Sequence, residues 1–280
     1  MESTGERYMP EWKGIIELEH LNRYYFVINQ IDLKNRKVLD IASGEGYGSN
    51  ILSNYAQSVV GVDISKEAVE HAKSKYNNTN LKFVQGDAAK IPLDDDSFDV
   101  VVSFETIEHH DKHLEMMNEI KRVLKSDGIL IISSPDKYYY TDLPKIKNEF
   151  HVKELYYDEF KRLISKYFKQ TFFFGQQTFT GSIIALDEES DIYKRPILIK
   201  KMGEKQPIFP IYNIAIATNK LKFELLEQLV FYTEEDQAIT KSDIEAARYL
   251  KEIEIKKSIT WRVGKSVLYP LKLVKKVFNI

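Results

Sequence analysis

Two stretches of this chain hold residue types that can do chemistry. Glu105-Thr106-Ile107-Glu108-His109-His110 packs carboxylates and imidazoles into one short run. On a helical turn Glu105, Glu108 and His109 would share a face at i, i+3 and i+4. With His151 as a distant fourth member, this oxygen and nitrogen set suits a divalent cation such as Mg²⁺ or Mn²⁺. A cation there would lower the pKa of a bound hydroxyl and hold a vicinal diol for in-line attack. Without one, His109, His110 or His151 could serve as general base, an effect of about 10²–10⁴-fold. The blander alternative is a Glu-His pair that only orients its loop.

The second stretch, Val38-Leu39-Asp40-Ile41-Ala42-Ser43-Gly44-Glu45-Gly46-Tyr47-Gly48, has glycine at alternate positions after an apolar run. Such glycines let a backbone turn sharply and a ligand approach where a Cβ would collide. The spacing is G-x-G-x-G, unlike the G-x-G-x-x-G of dinucleotide binders, and no Gly-Lys-Ser/Thr follows to make a P-loop. About twenty residues on, Gly61-Val62-Asp63 places a carboxylate where it can accept both hydroxyls of a ribose. Further on, Gln85-Gly86-Asp87-Ala88 offers an acid to the exocyclic amine of an adenine. Each Asp alone reads as a helix cap or turn. Three acids in register after three successive strands point to a nucleoside.

Those residues need a scaffold that brings them to one edge. Short runs rich in Val and Ile, at Lys37–Ala42, Ser58–Asp63, Leu81–Gln85, Phe98–Ser103 and Gly128–Ser133, alternate with helical patterns such as Ser65–Tyr76 and Leu114–Leu124. They are apolar on both faces, as strands buried in a parallel sheet are, so the chain reads as α/β and doubly wound. Ahead of them, residues 1–36 read as an N-terminal helical cover, with Ile15, Leu18, Leu21, Tyr25 and Ile28 along one side of a helix over Ile15–Gln30. The catalytic domain spans 37–220. Its later part holds a helix at Lys153–Phe168, strands at Gln170–Gln176 and Ile211–Thr218, and an insertion or lid at about 177–210. Residues 221–280 read as a helical extension. The histidines at His20, His71 and His113 read as surface or helix residues.

The motifs VLDIASGEGYG, VVGVDIS, FVQGDAAKIPL, FDVVVSFETIEHH and RVLKSDGILIISSPD resemble, in order, those of the class I S-adenosylmethionine-dependent methyltransferases. The resemblance covers about Arg36–Asp136. It implies a Rossmann-like, seven-stranded, mostly parallel sheet in the order 3-2-1-4-5-7-6, with Ile211–Thr218 as the antiparallel strand. It implies S-adenosylmethionine as cofactor, with Asp40, Gly44, Gly46 and Gly48 about its methionine part. Asp63 would meet the ribose, and Asp87 with Ala88 the adenine, with Ile64 and Glu105 also among the cofactor-binding residues. The E-x-x-E-H run plus a distant His is similar to metal-dependent small-RNA 2′-O-methyltransferases and ubiquinone-pathway O-methyltransferases. The opening GERYMPEW…ELEHLNRYYF and the later HVKEL segment resemble, on shorter matches, a subgroup associated with bacterial surface-polysaccharide biosynthesis. In that subgroup Arg7 and Tyr8 would close over the cofactor.

Composition narrows the acceptor. A formal net charge of −2 argues against bulk nucleic-acid binding, and the absence of cysteine excludes disulfides, thiolate metal sites and Cys nucleophiles. No signal peptide and no spanning segment is apparent, so the expectation is a cytoplasmic enzyme. The expected reaction is O-methylation of a sugar hydroxyl in a surface glycan or its precursor, with aromatic clusters at Tyr138–Tyr140, Tyr156–Tyr157 and Phe172–Phe174 available to stack on sugars or to fill the core. Alternatives are a small-molecule O- or N-methyltransferase unrelated to glycans, an RNA 2′-O-methyltransferase, and a non-catalytic adapter. After Glu254 the chain carries Lys256, Lys257, Arg262, Lys265, Lys272, Lys275 and Lys276 but no acid. Such a tail could rest on the inner face of an anionic membrane or pack on its own protein or a dimer mate.

Overall fold

A computed structural model describes residues 15–178, 182–187, 199–201, 204–206, 210–220, 222–223, 225 and 228–231. The chain divides into two units, and every described residue except Ile15 falls in the first. Arg7, Tyr8 and the basic tail lie outside the described residues.

Strands β1 (Lys37–Ile41), β2 (Ser58–Asp63), β3 (Leu81–Gln85), β4 (Phe98–Ser103) and β5 (Leu124–Pro135) run parallel. Helices α2 (Tyr47–Ser53), α3 (Lys66–Lys75) and α4 (His113–Val123) lie between strands β1 to β5, while α1 (Ile15–Gln30) precedes them. After α5 (Tyr157–Tyr167) come β6 (Gln170–Thr178), β7 (Ser182–Asp187), the small ribbon β8 (Ile199–Lys201) with β9 (Glu204–Gln206), then β10 (Tyr212–Thr218) and β11 (Gln228–Phe231). The large sheet has the order β3-β2-β1-β4-β5-β10-β6-β7-β11, with β10 antiparallel to both β5 and β6. Its first seven positions are the expected 3-2-1-4-5-7-6 order. Two strands widen it beyond that expectation. β7 falls in the stretch read as an insertion, and β11 in a stretch whose pattern reads as helical.

Alternation explains the apolar runs. Val38, Val100, Val102 and Ile131 pack on one face with Phe26, Val27, Leu52 and Val69. Their neighbours Leu39, Val101, Leu130 and Ile132 pack on the other with Met116, Ile120, Phe160 and Ile164. Side chains alternate across a strand, so a strand covered by helices on both faces must be apolar at every position. The Phe172–Phe174 run belongs to this packing. Phe173 and Phe174 are buried in the opposite clusters, and Phe172 is partly buried against Phe223.

Ends differ from expectation where side chains decide them. Ser65 caps α3 by accepting the Ala68 N–H, so the helix starts one residue late. Strand β5 begins at Leu124 and contains the Asp127-Gly128 turn signal, because its register against β4 shifts between Phe98 and Val100. Helix α5 begins only at Tyr157, where the Glu159 carboxylate accepts the Tyr156 N–H. The preceding Val152 and Lys153 instead donate their N–H groups to the Glu108 carbonyl.

The buried side of α1 also differs. Tyr25 is exposed, while Leu18, Asn22, Arg23, Tyr24, Phe26 and Val27 are buried. A helix that turns polar side chains inward is lining something other than core.

Candidate active site

Parallel strands deliver their carboxyl ends to one edge, and there a cavity of about 760 Å³ runs from Asp63 and Asp87 at one end to His109 and His151 at the other. Of the residues expected at the cofactor, Gly44, Asp63, Ile64, Asp87, Ala88 and Glu105 line it. Asp63 does more than face the cavity. Its carboxylate accepts the Gly44 N–H at 2.8 Å and the Ser65 N–H at 2.9 Å, tying the glycine loop to the start of α3. A carboxylate offers roughly four lone-pair sites, so those bonds leave capacity for ribose hydroxyls. Asp87 accepts the Ala89 N–H through its side chain, which sets the turn that carries Ala88.

Three expected cofactor residues are not on the cavity wall, and packing is the reason. Asp40 is buried behind the loop, accepting hydrogen bonds from Ser49 Oγ at 2.7 Å and Tyr24 Oη at 3.3 Å. Burial, reinforced by nearby Asp63 and opposed by those two donors, pushes its pKa up to about 7. Gly46 has φ +91°, and a Cβ there would stand 2.6 Å from the Phe83 ring. A Cβ on Gly48 would overlap the Tyr24 ring. These two glycines let β3 and α1 approach the loop; ligand access is not what requires them.

At the far end a single 3₁₀ turn, Ile107–His109, replaces the helical turn expected there. Glu105 is therefore not on one face with Glu108 and His109. Its backbone has φ 47°, and its carboxylate turns aside to accept the Ser133 hydroxyl at 2.5 Å and to approach Arg23 at 3.7 Å. What does converge is Glu108, His109 and His151, each offering an atom within 4.8 Å of the others. The four-residue metal set is thus corrected to three. The Nδ1 of His109 lies 3.2 Å from the Phe150 carbonyl and that of His151 2.6 Å from Glu154 Oε1. Nδ1–H donated to such acceptors leaves Nε2 as the basic nitrogen on each ring. The Nε2 of His109 stands 3.9 Å from Glu108, and that of His151 is 3.0 Å from the Asn148 amide. The His151 ring packs edge-on to His109 and is stacked by Tyr140.

His110 also lines the cavity, but its Nδ1 accepts the Lys112 N–H, and burial with neighbouring His113 lowers its pKa. It stands outside the three-residue cluster. The three histidines read as surface or helix residues all lie on helices, His20 on α1, His71 on α3 and His113 on α4. His113 is buried with Nε2 2.8 Å from the His110 carbonyl, while His20 lines the cavity near Tyr47. His71 instead meets Glu45, as Lys75 and Tyr76 also do.

Sequence reasoning missed a polar group on the inner side of α1. Arg23 is 1% exposed, donates from Nε to Gln176 Oε1 at 2.8 Å, and lies 4.4 Å over the Tyr212 ring. Glu19 accepts the Tyr212 hydroxyl, and burial raises its pKa against the pull of Arg23. The signal was available: Arg23 and Asn22 fall on the same helical side as Phe26, where an amphipathic helix should be apolar.

Residues 39–132 match the family model described as a methyltransferase domain. Over 171 residues the chain is 34% identical to a probable S-adenosylmethionine-dependent methyltransferase of Mycobacterium tuberculosis, strain CDC 1551 / Oshkosh, a match covering 58% of each chain. It is 30% identical over 127 residues to phthiotriol/phenolphthiotriol dimycocerosates methyltransferase 1 of Mycobacterium ulcerans, covering 45% of this chain and 44% of that one. The crystal structure of the YcgJ protein from Bacillus subtilis shares the fold, with a TM-score of 0.53 and 23% identity over 72% of this chain and 99% of that one. Residues 39–132 thus match a methyltransferase domain, within a fold shared with that solved structure. The matches span 58% and 44% of the length of these two curated relatives.

Proposed function

We propose that this chain is an S-adenosylmethionine-dependent O-methyltransferase whose acceptor is a sugar hydroxyl of a surface glycan or its precursor. The observation that carries the methyl-transfer reading is the unbroken cavity joining Asp63 and Asp87 to Glu108, His109 and His151. S-adenosylmethionine supplies an electrophilic methyl group on a sulfonium sulfur. Asp63, Ile64, Asp87 and Ala88 would hold its adenosine. The acceptor hydroxyl would lie over the far cluster, where His109 Nε2 or His151 Nε2 takes its proton as the new O–C bond forms and the C–S bond breaks. Glu108 stabilises the imidazolium produced. Tyr140, Phe150 and Tyr212 offer ring surface beside that end for a sugar.

The same three residues fit a divalent cation, since both imidazoles are oriented by outer acceptors and the carboxylate is buried between them. Two nitrogens and one oxygen favour Mn²⁺ or another transition ion over Mg²⁺, which prefers oxygen donors. Such an ion would supply Lewis-acid activation of the acceptor. Second in line is a hydroxyl acceptor outside glycans, supported by the relative named for phthiotriol and phenolphthiotriol dimycocerosates. The intact Glu/His cluster speaks against an adapter, and the slightly acidic net charge against RNA. No helix among the described residues is long and apolar enough to cross a membrane. The reading has the enzyme working in the cytoplasm, with the basic tail at the inner membrane face or in a homodimer contact.

Labelled-methyl transfer to a panel of nucleotide sugars, glycan fragments and lipid alcohols, with and without EDTA, tests the reading. Incorporation into sugars is expected, and incorporation only into non-sugar alcohols would transfer the assignment to the second reading. Glu108→Gln should lower turnover by at least about 10²-fold while sparing S-adenosylhomocysteine affinity, as loss of an acceptor-side group predicts. Full wild-type turnover in exhaustive chelator would remove the metal and leave histidine base catalysis.

A further inference from the structure

Arg23 is among the largest fully buried side chains of the protein, and it is a cation. Its Nε is satisfied by Gln176, whose own amide donates to the Glu19 carbonyl at 3.0 Å, so the plane of the guanidinium is fixed. Nη1 and Nη2 are buried and make no hydrogen bond among the described residues. The carboxylate of Glu105 stands 3.7 Å from Nη2, close enough to attract but beyond hydrogen-bond range. Buried, unsatisfied donors on a charged group are costly, and a rigid guanidinium fork matches an incoming carboxylate. The group forms part of the cavity wall.

Its place along the cavity names the ligand. With the ribose at the end of β2 and the adenine at the end of β3, the rest of the donor must run past Gly44 towards the ends of β1 and β4. Tyr24, Phe104, Glu105 and Arg23 form the wall there. The amino-acid end of S-adenosylmethionine carries a carboxylate and an ammonium on adjacent atoms. Arg23 and Glu105 present the opposite charges side by side, each braced from behind, Arg23 by Gln176 and Glu105 by Ser133. We propose that Arg23 receives the α-carboxylate of the donor's methionine and that Glu105 takes its α-ammonium. This rests on the cofactor reading above, and adds the residues that let the site tell a complete methionine from a truncated one.

The test compares S-adenosylhomocysteine with S-adenosyl-3-thiopropylamine, which lacks only the carboxylate, by calorimetry on the full chain. Wild type should bind the first roughly tenfold to a hundredfold more tightly, the range of a charged hydrogen bond. Arg23→Met should lose that preference by weakening only S-adenosylhomocysteine, and Arg23→Lys should keep part of it. A folded Arg23→Met protein that still discriminates as wild type does overturns the proposal and assigns Arg23 to an acidic acceptor or to the fold. Should Arg23→Met not fold, equal affinity of wild type for the two nucleosides overturns it equally well. Wild type that binds neither nucleoside overturns the cofactor reading and this inference together.

Discussion

On the proposed reading Asp63 serves as both scaffold and ligand group. Its oxygens hold the Gly44 and Ser65 N–H groups, so the carboxylate is oriented before any ribose arrives. Asp63→Ala should weaken S-adenosylhomocysteine by about 1.5–3 kcal/mol, the value of a charged hydrogen bond, and more if the glycine loop also loosens. Calorimetry returning wild-type affinity would remove Asp63 from the ribose contact. His20 makes a prediction of a different kind. Burial, followed by the nearby charge of Arg23, lowers its pKa from 6.5 to about 3. The unfolded chain takes up a proton on this ring below about pH 6.5 that the folded chain refuses until about pH 3. Its contribution to stability is therefore present above pH 6.5 and is lost as the pH falls through that window. His20→Asn should flatten the decline of stability between those limits in urea titrations. Parallel slopes for variant and wild type would show that the ring protonates in place.

At the scale of elements, the glycine loop is a packing device before it is a binding device. Gly48 faces Tyr24, and Tyr24 holds the buried Asp40 of β1. Gly48→Ala must push that ring aside, and overpacking of this kind costs about 1–3 kcal/mol. A denaturant midpoint unchanged from wild type would mean that α1 can move away without cost. Sequence patterning foresaw α1 to the residue and β10 to within one, because long periodic segments and clean apolar runs carry their own signal. On α1 it placed Leu18 inward correctly but Tyr25 wrongly, because part of the inward side is polar: Arg23 lines the cavity and Asn22 is buried beside it in sequence. It placed Glu105 with Glu108 because a helical turn was assumed. A left-handed residue at Glu105 and a 3₁₀ turn after it send the two carboxylates to different partners, Glu105 to Ser133 and Arg23 and Glu108 towards His109 and His151. Spacing rules presuppose a regular backbone, and active-site loops are where that presupposition fails.

For the whole molecule, the parallel half was legible from its alternation of strands and helices, whereas the added edge, β7 and β11, was not. β11 is a four-residue strand at the sheet's edge, and β7 beside it is six residues long, so each offers only a short pattern to read. The molecule's charge is uneven in a way the fold does not require. Overall it is −2, yet seven basic residues and no acid follow Glu254, interleaved with Trp261, Val267, Leu268, Leu271 and Phe278. A catalytic domain needs no such segment, since every expected cofactor, catalytic and metal residue lies at or before His151 and the last residue of the cavity wall among the described residues is Tyr212. Basic and apolar groups together match an anionic lipid surface, where each Lys or Arg contributes on the order of 1 kcal/mol and the apolar groups enter the interface. Deleting Trp261–Ile280 should leave turnover on a water-soluble acceptor within about twofold, a change of under ~0.5 kcal/mol in the barrier. The same deletion should sharply reduce co-sedimentation with phosphatidylserine vesicles at low salt, and added salt should release the full-length chain in the same way. Loss of folding or of a dimer on truncation, with vesicle binding unaltered, would instead assign these residues to packing within the protein. The charge pattern would then be complementing the carbonyl end of a terminal helix.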